Sequence, residues 1–478
     1  MKTHSSKQIP SSASYRRESG KGHSLIFFVL GSIISVVAYQ SLMPLLAAAI
    51  VFALGMTLLR SSGLGGYFER AMFVRLFSVN WFMAGIAAIY AEYLNDPGQL
   101  FNDAGQLFYA SSSNRFSELG LEAIRSRSEG SAAIVIWRFF YDAWAFLGFE
   151  KERYIGILIN IVTVAYTGVI AVKIARLLYG NDTSRIKRLI TLFTFCGIFS
   201  LFAAIHLRDA LALLTVTSLA YGWNAYLSKP NFRAVLLLVG LTTASFVFFG
   251  FVRAEFVYVP LAMLLAGVTA LFIGGKGGGL GQLVSVAAAV SGLGVAMVAL
   301  PNLSEQVLPT LFDQGGAYAQ MSAERASSDS LGAALLGNQP LLIKIIFGSV
   351  LLYIFPVPFW SGFQFETVYH LFKSLNVIFF YFLIPLSALS LLRLSRVKSL
   401  RTPAMMFNVF VVLGFTMAVA SSSGETRHLS AFLVSLFMVA LLPDLNVRGT
   451  KKAYKILLGY FLFAVLFVHL TWAVLKFF

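Results

Sequence analysis

Apolar stretches of about 18 residues or more recur along almost the whole chain, and a run of that length crosses a bilayer as a helix. Backbone N–H and C=O groups inside lipid have no water to bond, so each span must satisfy them internally. Helices do so, and the weak alternating pattern of an outer-membrane barrel is absent from the sequence. A composition of 58% hydrophobic and 12% charged residues excludes an ordinary soluble domain. The sequence therefore predicts an all-α, polytopic integral membrane protein with about 13 transmembrane helices. These lie near 24–41, 43–59, 72–93, 154–175, 188–205, 210–227, 234–251, 256–274, 281–300, 370–392, 404–421, 429–443 and 456–475.

Two further apolar segments, 131–148 and 341–358, carry Arg138, Asp142, Lys344 and aromatics and are interrupted by glycine or proline. They are expected to be outer interfacial or re-entrant helices. Residues 1–22 are polar, Ser-rich and basic, and read as a disordered cytoplasmic tail. Residues 23–478 form a single transmembrane domain with large outer loops at 94–153 and 301–369. No clear A-x-A-like cleavage site follows the first apolar run, which is expected to stay as an anchor.

A net charge of +16 invites a nucleic-acid partner. Its distribution argues otherwise. With the N-terminus in the cytoplasm, the inner segments hold 24 of the 37 Lys and Arg but only 4 of the 21 acids, so the inside carries +20 and the outside −4. Positive-inside bias accounts for the excess, and no nucleic acid is implied. The single cysteine, Cys196, lies in an apolar run and excludes an internal disulfide. No HExxH-like spacing occurs among the six His, so no metal is expected. The "GGKGGGLG" run at 274–281 lacks the GK[ST] ending of a phosphate-binding loop and reads as a flexible inner connection.

Under that topology, polar residues gather at three outer turns. "HLRDALALL" brings His206, Arg208 and Asp209, "FVRAEF" brings Arg253 and Glu255, and "GETRHLS" brings Glu425, Arg427 and His428. Arginine is biased to the opposite side of the membrane, so its repetition here calls for a reason. One reason is an anionic headgroup, since guanidinium holds phosphate in two-pronged geometry and keeps its charge when partly desolvated. The plainer alternative is a salt bridge at each helix end that snorkels to the interface. Asp103, in "NDAGQLFYA", is a further candidate base beside Glu255, Glu425 and His428. An acid in an acidic outer loop also serves simply as a solvated residue. Aromatics mixed with acids and amides in the long outer loops suit sugar stacking, and equally suit an interfacial aromatic belt.

The order of an early acid in "NDAGQLFYA", an amphipathic outer helix ending "FLGFEKERYIGILINIV", then "LRDALALL", "FVRAEF", "FPVPFW" and "ETRHLSAFL" resembles bacterial oligosaccharide-repeat polymerases of the Wzy and EpsG type. It is distantly similar to GT-C lipid-linked-sugar glycosyltransferases. The resemblance runs from about residue 70 to 445, on short, degenerate motifs. It implies a glycosyltransferase acting on polyprenyl-pyrophosphate-linked sugars at the outer face of a bacterial inner membrane. Arg208, Arg253 and Arg427 would bind the pyrophosphate, with His206 and Asp209 supporting. The GT-C base follows the first span, whereas Asp103 follows the third, so the base stays open among Asp103, Glu255, Glu425 and His428. Expected partners are a lipid-linked oligosaccharide, membrane lipid and other polysaccharide assembly proteins, with no cofactor. Two other functions remain open at this level: a transporter or flippase of a lipid-linked or anionic substrate, and a non-catalytic scaffold of a polysaccharide assembly complex.

Overall fold

The computed structural model describes residues 20–91, 102–113, 131–252, 254–274, 340–354, 359–364, 368–421 and 426–477. Among them every regular element is helical. In chain order these are α1 (Gly20–Tyr39), α2 (Met43–Ser61), α3 (Tyr67–Ile89), α4 (Asn102–Ser112), α5 (Ser131–Phe146), α6 (Arg153–Tyr179), α7 (Thr183–Phe195), α8 (Gly197–Ala204), α9 (Asp209–Ser228), α10 (Phe232–Val252) and α11 (Tyr258–Gly274). They continue as α12 (Leu341–Ile354), α13 (Val368–Arg396), α14 (Pro403–Ser421), α15 (Leu433–Ala440) and α16 (Arg448–Phe477). Short 3-10 turns at Ala254–Val257, Phe359–Gln364, Lys398–Leu400 and Thr426–Ala431 lie between them.

The chain is an all-α, multi-pass membrane protein. Among the described residues seven helices are long and apolar enough to cross a bilayer, or eight if the bent pair α7–α8 counts as one span. That is fewer than the thirteen spans the sequence suggests. The apolar parts of α1 and α11 are short, and α15 has only eight residues. The proposed 281–300 span, the 1–19 tail and residues 275–281 of the glycine run lie outside the described residues. Helix α6 is central, with 78% of its apolar window buried, while α16 is peripheral at 11%.

Long-range contacts sort the helix ends into two groups. At one end Glu69 opens α3 against Arg176 near the end of α6. There too Arg185 donates to the carbonyls of Leu441 and Leu442 at 3.1 Å, Arg393 bonds Thr450, and Asn408 donates to Asn224 at 2.7 Å. At the other end Tyr39 meets Tyr154 edge-on, Asn160 bonds the turn after α8, and Ser131 bonds Phe251. Helices α1, α2, α3, α6, α7–α8, α9 and α10 thus run alternately between the two ends. The first end gathers most of the basic residues. There Tyr179 takes the Met438 carbonyl in the last turn of α15, and Arg185 and Arg188 take that of Leu441 at its C-cap, which lipid would leave unpaired.

The stretch expected as one continuous span at 188–205 is broken. Cys196 adopts an extended backbone, and α7 and α8 meet at 55°. Asn376 of α13 accepts from Ile198 N–H at 3.4 Å, and Ser200 donates to Asn80 of α3 at 3.1 Å. Phe193 and Phe199 stack across the break, 4.5 Å between ring centres. Gly197 makes the approach possible: a Cβ there would stand 2.6 Å from the Phe372 carbonyl oxygen and 2.8 Å from the Asn376 nitrogen. Both are backbone atoms of α13 and cannot swing aside. Gly197→Ala is therefore expected to destabilise the protein by about 1–3 kcal/mol. Thermal unfolding in nanodiscs checks this, and an unchanged midpoint would mean that α8 shifts freely against α13.

Helix α12 covers part of the segment expected to be interfacial or re-entrant. Gly348 lies on the Ala420 carbonyl, and Tyr353 bonds Thr416 at 2.6 Å, so α12 descends along α14 from the less basic end. Fourteen residues reach only about 21 Å, short of the bilayer core. The following Phe359–Gln364 turn is held between α13 and α16. His469 of α16 accepts from Phe359 N–H at 3.2 Å, lies 3.3 Å from the Tyr381 hydroxyl, and bonds the Val465 carbonyl through Nδ1 at 2.7 Å.

Candidate functional site

The site is built around the turn between α8 and α9, which carries His206, Leu207 and Arg208. Its backbone is gripped from α6. Asn160 Nδ2 donates to the carbonyls on both sides of His206, Ile205 at 3.0 Å and Leu207 at 2.9 Å. Asn160 Oδ1 accepts from Trp137 Nε1 of α5 at 3.2 Å, which fixes the orientation of the amide. Both residues are fully buried, where a lost hydrogen bond is costly. One helical turn before Asn160, Gly156 lets the imidazole lie directly on α6.

His206 is enclosed by aromatic rings. Trp137 lies 4.0 Å from it between ring centres, and Phe108 of α4 stands edge-on at 6.0 Å. The Tyr141 hydroxyl and His206 Nε2 are hydrogen-bonded at 3.1 Å. Burial, with a smaller contribution from the Arg153 charge, pushes the imidazole pKa down to about 3. The ring is neutral at ordinary pH and supports the turn. Arg208, half-buried, follows it at the N-cap of α9, whose Leu211 and Ala212 N–H groups donate to its carbonyl at 3.1 and 3.3 Å. Asp209 is buried in the first turn, where a helix N-terminus favours an acid.

The other two polar turns come to the same place. Thr426–Ala431 packs against α8, α9 and α14, and Ala254–Val257 packs against α10 and α11. The Phe256 ring meets His428, 6.4 Å between centres, so the two turns touch. His428 is buried there. Helix α4, with Asp103 in its first turn, joins them through Phe108. Arg253 and Glu425 lie outside the described residues, as do the side chains of Asp103, Glu255 and Arg427. What is brought together is therefore the backbone of the turns and helix that bear Asp103, Glu255 and Arg427, with Arg208, Asp209, His206 and His428 seen in full.

An ion network ties α4 to α5. Asp142 lies 2.6 Å from both Arg138 Nε and Lys151 Nζ, and Arg138 Nη1 bonds the Ser113 carbonyl. Partial burial alone would raise the Asp142 pKa, but the hydrogen bonds from Lys151 and Arg138 outweigh it and hold the carboxyl below its usual value. Arg153 stands over the Phe108 ring at 5.3 Å and completes the clamp on α4.

Asn160, Gly156, Trp137 and Tyr141 do not figure among the sequence candidates. The available signal was Asn160 itself, a lone amide in the apolar run "YIGILINIVTV", because a polar side chain inside a span is costly unless it has a partner. Among the described residues no three His, Cys, Asp or Glu side chains stand together as a metal set. No family model, curated protein or solved structure matches the chain.

Proposed function

We propose that this chain is a membrane glycosyltransferase of the polysaccharide polymerase type, joining polyprenyl-pyrophosphate-linked sugar units at the outer face of a bacterial inner membrane. The observation that carries this reading is the meeting of the His206–Asp209, Ala254–Val257 and Thr426–Ala431 turns at one end of the bundle, opposite the basic end. Positive-inside bias assigns the basic end, and with it the N-terminus, to the cytoplasm. In this scheme Arg208, Arg253 and Arg427 hold the pyrophosphate of the donor lipid. An acceptor hydroxyl attacks the anomeric carbon as its bond to the pyrophosphate oxygen breaks. The guanidinium groups stabilise the charge developing on the leaving group. Asp103, Glu255, Glu425 or His428 takes the hydroxyl proton. The acceptor is a second lipid-linked oligosaccharide, and other assembly proteins are expected alongside.

The test is Arg208→Ala, Arg253→Ala and Arg427→Ala in a producing cell, with polysaccharide length read on gels and protein amount read by an epitope tag. Each variant is expected to lose long chains at unchanged membrane abundance. Normal chains from all three would end the enzyme reading.

The α7–α8 break favours a second reading, a transporter or flippase. Broken helices with polar side chains at mid-membrane recur in such proteins, and Asn80, Ser200 and Asn376 surround this break. These groups are uncharged, and the ionisable clusters lie at the ends of the bundle, which favours chemistry at the surface. Flipping of a labelled lipid in vesicles, lost on Asn376→Leu but kept on Arg208→Ala, would reverse the preference.

A further inference from the structure

We infer that Asn160 and Trp137 are positioning residues that set Arg208 for the pyrophosphate, an inference that rests on the function proposed above. The turn between α8 and α9 is short and irregular. Its carbonyls at Ile205 and Leu207 both accept from one amide group, and Ile205 also accepts from Leu207 N–H at 2.7 Å within the turn. A single side chain bonded on both sides of His206 fixes the path of the backbone through that residue. Arg208 is the next residue but one, so the direction in which it leaves the turn is set by the same two bonds.

The amide has two possible orientations, and only one places its NH2 on the carbonyls. Trp137 selects it. An indole N–H only donates, so Nε1 at 3.2 Å must face the amide oxygen. The Trp137 ring then lies on His206, 4.0 Å between centres, so one side chain orients the amide and presses the turn onto α6. Asn160 and Trp137 are buried beneath the turn, while Arg208 is half-buried at its surface. The pair therefore acts on a bound lipid through Arg208.

That indirect route makes a non-additive prediction. A fluorescent polyprenyl pyrophosphate would be titrated onto the full chain in nanodiscs, with thermal midpoints recorded for every variant. Arg208→Ala is expected to weaken binding about 10- to 100-fold, the range of a lost charge-assisted contact. Asn160→Asp, which keeps the size and the Trp137 acceptor but sets a carboxyl oxygen with no proton to share against at least one of the two carbonyls, is expected to weaken it about tenfold. Trp137→Phe keeps the ring on His206 and loses only the N–H, for about a threefold effect and a folded protein. In the Arg208→Ala background, Asn160→Asp and Trp137→Phe are expected to add nothing further, since residues acting through one another do not sum.

Equal losses in both backgrounds would reduce the pair to general structural support and overturn the inference. Full binding in Trp137→Phe and Asn160→Asp, with Arg208→Ala weakened, would overturn it while leaving the proposed function in place. Unchanged binding in Arg208→Ala would instead remove the pyrophosphate role itself, and the inference with it.

Discussion

Gly156→Ala is expected to destabilise the protein by about 1–3 kcal/mol and to abolish whatever activity depends on the turn after α8. Two effects compete. Alanine gains about 1 kcal/mol of helix propensity over glycine within a helix. Against this, the added Cβ would stand 2.2 Å from His206 Cδ2 and Nε2 and 2.5 Å from the Tyr141 oxygen. Such contacts are relieved only by movement, and the ring has nowhere to go. Trp137 lies against it, Phe108 closes its edge, and Asn160 ties the backbone on both sides. The clash therefore wins, and the turn lifts from α6 with Arg208 attached. Thermal unfolding in nanodiscs gives the stability change. His206→Ala in the same background removes the clashing atoms and is expected to recover part of the lost midpoint. If Gly156→Ala alone melts at the wild-type temperature, the imidazole is not locked as described.

The same locality explains which parts of the structure were legible in the sequence. Helices were, because an apolar run long enough to cross a bilayer has no other stable backbone. The amphipathic α5 was also readable: Trp137, Tyr141 and Trp144 face inward while Phe139 and Phe146 are exposed. The gathering of polar turns at one end followed from counting charges along alternating spans. What did not follow were features whose partners lie far away in sequence. Asn160 gains its meaning from carbonyls 45 and 47 residues later. His469 is one histidine in an apolar helix until the Phe359–Gln364 turn, 110 residues earlier, is placed against it.

The break in the expected 188–205 span shows a different limit. Cys196 and Gly197 offered a weak local signal, since glycine lowers helix propensity by only about 1 kcal/mol. The break is held by Asn376 and Asn80 on other helices, and tertiary partners decide such cases. Of the predicted spans missing from that count, α1 and α11 are short in their apolar parts, α15 is short throughout, α9 has 20 residues but falls outside the apolar spans, and 281–300 lies outside the described residues. The predicted 429–443 span is a 3-10 turn followed by an eight-residue helix, with His428 of the turn against Phe256.

Glu69→Ala is expected to cost about 3 kcal/mol, the lower part of the range for breaking a buried ion pair. Glu69 is one of the few acids at the basic end, and its place in the fold explains the exception. Its side chain is fully buried in the first turn of α3, where the helix N-terminus favours a negative charge. Oε1 lies 2.6 Å from Arg176 Nη1 and 3.4 Å from Lys173 Nζ. Gly66 leaves room for the carboxylate, since a Cβ there would fall 2.3 Å from Oε2. Removing the acid leaves two cations of α6 facing each other across the vacated space. They are 29% and 26% exposed, so water and lipid headgroups relieve part of the cost, which keeps the expected value below the upper end of the range. A surface pair would weaken in salt, whereas a buried carboxylate is screened little. The loss in thermal midpoint should accordingly persist between 0.1 and 1 M salt, to about the same extent. A difference that vanished at high salt would place this carboxylate at the surface, and the first turn of α3 would then not be fastened to α6 by charge.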